Sequence, residues 1–269
     1  MSIIASSQAG KTTSSTTASK KEAPHAETKA HSGPHISIKA EPLFHIGSFQ
    51  VTNALVTSWL VVVFLIFLAV NYTRNNQIRQ FFNLLLKNLH GLFKNVFGKN
   101  TDKYFPFVMT FFMYILFSNW LGLLPGVGTI LVQVGDEGKL PLFRAATADL
   151  NTTLALGFLS IFMIQVFSIK ELGFGKYLKK FINLSNPINA FVGILEIMSE
   201  FSKAISFSFR LFGNIFAGEV LLTVVAFLVP ALASFPFLVF EFFVGFIQAL
   251  VFSMLTAIFL SVAVTEHSH

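Results

Sequence analysis

The sequence predicts an all-α integral membrane protein with about five membrane helices, the last two forming a long, steeply tilted hairpin, and one amphipathic helix on the membrane surface. Three observations carry this. Of 269 residues, 54% are hydrophobic and only 12% charged, with 34 phenylalanines, a balance foreign to water-soluble domains. Runs free of Asp, Glu, Lys and Arg extend over Pro42–Thr73, Tyr104–Gly135, Leu150–Ile169, Val220–Phe240 and Phe242–Thr265, each long enough for a span of roughly 20 residues. The segment from Pro187 to VPALASFP runs for about 43 residues without proline, so a single helix there measures ~64 Å, twice the ~30 Å hydrocarbon thickness.

Residues 1–40 are rich in Ser, Thr, Ala, Lys and His and hold almost no large apolar side chain. They bury too little surface to offset chain entropy and read as a disordered polar tail. The tail lacks an apolar h-region, contains no arginine and carries Glu22 and Glu27, features of neither a secretory signal nor a mitochondrial presequence. The spacing of His25, His31, His35 and His45 fits no metal pattern, so no metal or cofactor is expected. With no cysteine the chain has no disulfide, thiol nucleophile or thiolate site. The net charge of +6 forms no basic patch on a soluble fold, and the positive-inside bias explains the basic loops more simply than nucleic acid does. The tail lysines run against that bias but mostly lie far from the first span and carry less weight.

The first span is placed at 51–72. Over 77–97, Ile78, Phe81, Phe82, Leu85, Leu89, Leu92, Phe93 and Val96 recur at helical spacing while Arg79, Gln80, Asn83, Lys87 and Lys94 take the other side, predicting the surface helix. A second span over 104–124 stops at Pro125, an outer loop fills 125–147, and a third span covers 148–170. Asn186 and Pro187 read as N-cap and first helical residue of a tilted helix over 187–229. That helix must tilt strongly or break, the break falling near Gly213 or Gly218. The closing helix, 237–265, is ~43 Å long and antiparallel to it. Basic residues fix the orientation. Arg74, Arg79, Lys87, Lys94, Lys99 and Lys103 follow the first span, and Lys170, Lys176, Lys179 and Lys180 follow the third, which puts both loops in the cytoplasm, the N-terminus outside and the C-terminus inside. Between spans two and three Asp136 and Glu137 balance Lys139 and Arg144.

The stretch FSFRLFGNIFAGE, 207–219, sets an arginine and a glutamate inside this tilted helix. At 100° per residue Arg210, Gly213, Asn214 and Ala217 share one face and Glu219 points the other way. Guanidinium stays protonated when desolvated, so Arg210 is a fixed cation whose natural partner is a carboxylate. Glu196 and Lys203 share its side but lie ~21 and ~10 Å away along the axis. Glu219 lies ~13 Å the other way, with Glu241 close after the turn and Gln248 at the depth of Arg210. Polar groups thus enter from each surface with a permanent cation between them, the layout of an interrupted proton path. The bland alternative is that Arg210 and the glutamates pair and tie the hairpin together. Glu200 and Lys203, at i and i+3, read either as path residues or as a local ion pair. Asn119, Asp149 and Asn151 read as the lining of an aqueous entry, with Asp149 alternatively a helix cap.

The run SEFSKAISFSFRLFGNIFAGE closely resembles the signature of subunit a of F-type ATP synthases, and ALVFSMLTAIFLSVAVTEH resembles that family's C-terminal segment. ATADLNTTLALG and NWLGLLP are similar to its earlier spans, so the resemblance covers roughly residues 41–267 and leaves out the tail. It implies a stator subunit whose hairpin lies against a rotating c-ring, each ring subunit bearing a mid-membrane carboxylate, with peripheral-stalk b subunits and lipid as further partners and the soluble sector reached indirectly. Under this resemblance Arg210 is the essential arginine that separates two half-channels. Glu219, Glu241, Asn214 and Gln248 belong to the outer half-channel, joined by Asn119 and Asp149, and Glu196, Ser199, Glu200, Lys203 and Ser206 to the cytoplasmic one. Where some members carry histidine this chain has glutamate at both 219 and 241, so a histidine relay is absent there. The implied localisation is a bacterial plasma membrane, with the mitochondrial inner membrane second.

The competing class is an independent ion channel or secondary transporter. It needs a complete pathway of its own, and the chain shows neither an internal repeat nor a mid-membrane carboxylate facing Arg210. No nucleotide-binding glycine loop, HExxH or GxSxG motif supports catalysis by this chain alone.

Overall fold

The computed structural model describes residues 42–46, 49–124, 131–134, 138–181, 187–228 and 234–265. The polar tail, the Asn186 cap, Asp136, Glu137 and Pro230 lie outside these. Two short strands, β1 (Pro42–Ile46) and β2 (Phe49–Thr52), pair antiparallel before the first helix. Thr52 then caps α1 (Asn53–Arg74), its hydroxyl accepting from the Leu55 N–H at 3.3 Å. The cap sets the helix start at Asn53, two residues after the predicted Val51. Asn75 turns the chain alone: its N–H caps the Asn71 carbonyl at 2.8 Å and its side chain accepts from Gln77 N–H at 2.9 Å, starting α2 (Asn76–Phe97).

On α2 the apolar stripe packs inward through Leu89, Phe93 and Phe97, while Arg79, Lys87 and Lys94 stay exposed. A 3₁₀ turn, Gly98–Asn100, leads into α3 (Thr101–Leu123), which supplies Tyr104, Val108, Phe112 and Ile115 to the core. The segment read as an outer loop contains a second antiparallel pair, β3 (Leu131–Val134) and β4 (Gly138–Pro141), and a 3₁₀ turn, Ala146–Ala148, beneath α4 (Leu150–Leu172). An eight-residue helix α5 (Phe174–Phe181) follows. Then come α6 (Pro187–Leu228), 42 residues in one unbroken helix, and α7 (Ser234–Val264), 31 residues. At ~1.5 Å per residue α6 is ~63 Å long, so tilt rather than a break must fit it to a bilayer. Pro236 lies inside α7, not before it, because first-turn amides have no intrahelical acceptor and proline there forfeits nothing. Among the described residues five helical stretches are long and apolar enough to cross a membrane, and the protein is an all-α membrane protein.

The most extensive packing joins α3 to α7 and α4 to α6. With no hydrophobic drive between helices in lipid, close approach and hydroxyl bonds hold them. Ser160 meets Thr256 at 3.0 Å and the Ser168 hydroxyl donates to the Ala263 carbonyl at 2.8 Å, tying α4 to α7. Gly157 lets α4 reach α6: a Cβ there meets the Ala204 carbonyl oxygen at 2.7 Å and overlaps the Ser208 hydroxyl. Phe207 of α6 stacks on Phe259 and lies tilted against Phe252 of α7. Outward, Val63, Phe67, Phe162 and Phe191 are exposed apolar surface suited to lipid.

Gly157→Ala is expected to destabilise the detergent-solubilised protein by about 1–3 kcal/mol. Gly91→Ala, where a Cβ finds open space, is the neutral or slightly stabilised control. Thermal unfolding midpoints of the two variants check the difference.

Candidate functional site

Leu211, Ile215 and Gly218 are the buried side of the α6 midsection. Packing this stripe against the bundle turns Arg210, Gly213, Asn214 and Ala217 outward, and all four are exposed. Among the described residues Arg210 has neither a hydrogen bond nor an ion pair. The pairing of Arg210 with the chain's own glutamates, the bland reading of the sequence, does not occur among them. Gly213 has open space where a side chain would stand, so the surface beside the guanidinium is shallow and free.

One turn beyond Arg210 the Asn214 amide donates to Gln248 Oε1 of α7 at 2.7 Å. Gln248 is 4% exposed and its Nε2 has no partner. Farther along, α6 and α7 meet so closely at Gly218 that any Cβ there would collide with the carboxyl of Glu241. Glu241 is also 4% exposed, and its Oε1 is buried without a hydrogen bond. A carboxyl so placed is costly in the charged form, and native structures keep such groups chiefly where they are used. Pairing Asn214 with Gln248 and Gly218 with Glu241 confirms the antiparallel hairpin.

Glu219, placed with Glu241 in the path by the sequence, is engaged by a second arginine. The Arg144 guanidinium grips it, Nε donating to Oε1 at 3.0 Å and Nη2 to Oε2 at 3.0 Å. The Arg144 side chain is 8% exposed, and its backbone N–H donates to the Thr57 hydroxyl of α1 at 3.2 Å. Sequence reasoning treated Arg144 as a loop charge. The signal it passed over is an arginine within the apolar run LPLFRAATADL directly ahead of a span.

Asp149 occupies the N-cap position of α4 without bonding a backbone amide. Its Oδ2 accepts from the Thr152 hydroxyl at 3.3 Å and its buried Oδ1 has no partner. Asn119 is fully engaged, donating to the Gly245 carbonyl at 3.0 Å and accepting from the Thr147 hydroxyl at 2.5 Å. With Trp120 Nε1 donating to the Phe242 carbonyl at 3.1 Å, it fixes α7 beside Glu241.

On the other side of Arg210 a cavity of about 270 Å³ is lined by Ser199, Ser202, Lys203, Ser206 and Arg210 itself, with aromatic walls from α6 and α7. Glu200 sits just outside it, ion-paired to Lys203 at 2.9 Å. The local ion pair predicted as one alternative is present, and Lys203 also faces the cavity. Glu196 lies one turn nearer the start of α6 and is half-buried. Glu200 also faces a second cavity of about 300 Å³ with Gln165 and Tyr177, whose hydroxyl donates to Gln165 Oε1 at 3.0 Å. Burial, and then the Glu200 carboxylate, hold the Tyr177 phenol above its usual range.

A membrane bundle with a cavity ending on an exposed arginine, and orphaned buried polar groups beyond it, has the kind of intramembrane polar site that membrane proteins keep for handling ions. The family model described as ATP synthase A chain matches residues 54–261, from the start of α1 almost to the end of α7. The chain is 34% identical over 241 residues to ATP synthase subunit a of Gloeobacter violaceus, covering 87% of this chain and 91% of that one. The protein belongs to the ATP synthase A chain family.

A double-mutant cycle on Asn214→Ala and Gln248→Ala is expected to give a coupling of about 0.6–1.7 kcal/mol, the range for hydrogen bonds between membrane helices. Reversible unfolding in mixed micelles measures it, and additivity of the two single changes would show that the bond holds nothing.

Proposed function

We propose that the chain is the proton-translocating stator subunit of an F-type ATP synthase membrane sector, forming two offset half-channels against a rotating c-ring. The observation that carries this reading is Arg210, an exposed fixed cation without a partner among the described residues, at the inner end of the polar cavity. A ring carboxylate arriving opposite Gly213 meets the guanidinium, which favours its charged form and releases the proton. Because arginine does not deprotonate, the same group keeps protons from crossing directly between the half-channels.

The outer half-channel runs by Asp149 and Glu241 to the Asn214–Gln248 pair, with Asn119 bracing its wall and Glu219 at its rim. The cytoplasmic half-channel is the cavity of Ser199, Lys203 and Ser206, with Glu196 and Glu200 toward its mouth. The orientation has the N-terminus outside and the C-terminus in the cytoplasm of a bacterial plasma membrane, following the basic residues after α1 and α4. The α2 helix rides on the cytoplasmic membrane surface, apolar stripe inward and lysines outward. Peripheral-stalk b subunits and lipid cover the remaining exposed apolar faces. Nucleotide chemistry belongs to the soluble sector, and this chain alone is not catalytic. An independent channel or transporter would need a countercharge for Arg210 within one chain, and none is found among the described residues.

Arg210→Ala is expected to abolish ATP-driven proton pumping in inverted membrane vesicles with assembly intact. After removal of the soluble sector it should raise passive proton leak by about tenfold or more. Full pumping in this variant contradicts the arginine's role.

A further inference from the structure

Resting on the half-channel reading above, we propose that Arg144 is a positioning residue that commits Glu219 to a fixed ion pair, leaving Glu241 as the carboxyl that passes protons in the outer half-channel. The two glutamates are near neighbours across the hairpin, since Gly218, against the Glu241 carboxyl, adjoins Glu219 in sequence. Their surroundings are opposite. Glu219 is gripped through both oxygens by a guanidinium that cannot give up its proton. Among the described residues no cation bonds Glu241, and its Oε1 is buried without a hydrogen bond. A proton placed on Glu219 has to break charge-assisted bonds to Arg144, whereas a proton on Glu241 breaks none.

The anchorage of Arg144 explains how the pair is kept in place. Its backbone N–H is fastened to Thr57, whose hydroxyl donates to the Asn53 carbonyl at the start of α1. The 3₁₀ turn that follows is buried, and Thr147 within it holds Asn119, which in turn holds the α7 backbone four residues past Glu241. Arg144 thus ties α1 and the segment ahead of α4 to the side of α6 opposite the exposed arginine face. The ion pair fixes the wall, and the unbonded carboxyl beside it is free to exchange a proton.

The test uses assembled enzyme in inverted vesicles and a hydrophobic carbodiimide, which couples to protonated carboxyl groups, read by mass spectrometry of the peptide containing Glu219. In the wild type Glu219 is expected to resist modification. It should become reactive in Arg144→Gln and be protected again in Arg144→Lys, a rescue that a purely structural loss does not give. ATP-driven pumping should fall about tenfold in Arg144→Gln, which removes the guanidinium that grips Glu219, and return to within about threefold of wild type in Arg144→Gln with Glu219→Gln. Glu241→Gln should abolish pumping in either background. Modification of Glu219 in the wild type overturns the proposal without need of any variant, as does a double variant that assembles but pumps no better than Arg144→Gln. Arg210→Ala in the same vesicles separates the two levels: if it still pumps, the half-channel reading fails, and if it does not, a failure of the double variant falls on Arg144 alone.

Discussion

An arginine kept in the membrane without a countercharge costs several kcal/mol, and the arrangement of α6 and α7 follows from where that countercharge comes from. Arg210 is held on the outward side of α6 by the burial of Leu211, Ile215 and Gly218, and none of the described residues supplies the anion. Small exposed residues at 213 and 217 leave this face shallow, as the proposed docking of a ring helix requires. In the proposed function the cavity on one side and the orphaned groups of Gln248 and Glu241 on the other serve as the two access routes that meet at this cation.

The hairpin's length serves this placement. A helix of ~63 Å, inclined across a ~30 Å core, exposes a long stretch of one face at intermediate depth and keeps its two polar sets laterally apart. Close contacts at Gly157 and Gly218 hold α6 against α4 and α7, and serine and threonine hydroxyls hold α4 against α7. The site's rigidity therefore comes from backbone approach and hydroxyl bonds more than from side-chain volume.

Much of this was legible in the amino acids. Charge-free runs located the long helices, and the 100° spacing put Arg210, Gly213, Asn214 and Ala217 together, because both signals are local and periodic. What escaped depends on tertiary register. Arg144 reaches Glu219 across 75 residues, and the loop's balanced charges concealed it. The close approach of Gly218 to the Glu241 carboxyl depends on the register of α6 against α7, which no local sequence signal announces. Asn119 read as a water-facing amide, yet its two bonds to α7 and Thr147 make it a brace, a distinction that composition cannot draw. The strand pairs and the eight-residue α5 are too short for periodicity to reveal.

Because the chain has no cysteine, a single introduced thiol reports one position cleanly. The most direct measurement is disulfide formation in native membranes between Gly213→Cys or Ala217→Cys and a cysteine set one turn from the ring subunit's mid-membrane carboxylate. Phe158→Cys, on an exposed face of α4, is the comparison. Cross-linking from 213 and 217 but not from 158 is the predicted result, since in the proposed function only the arginine face meets the ring. Equal cross-linking from all three, or none from 213 and 217 in active complexes, would contradict the claim that another chain's carboxylate completes Arg210.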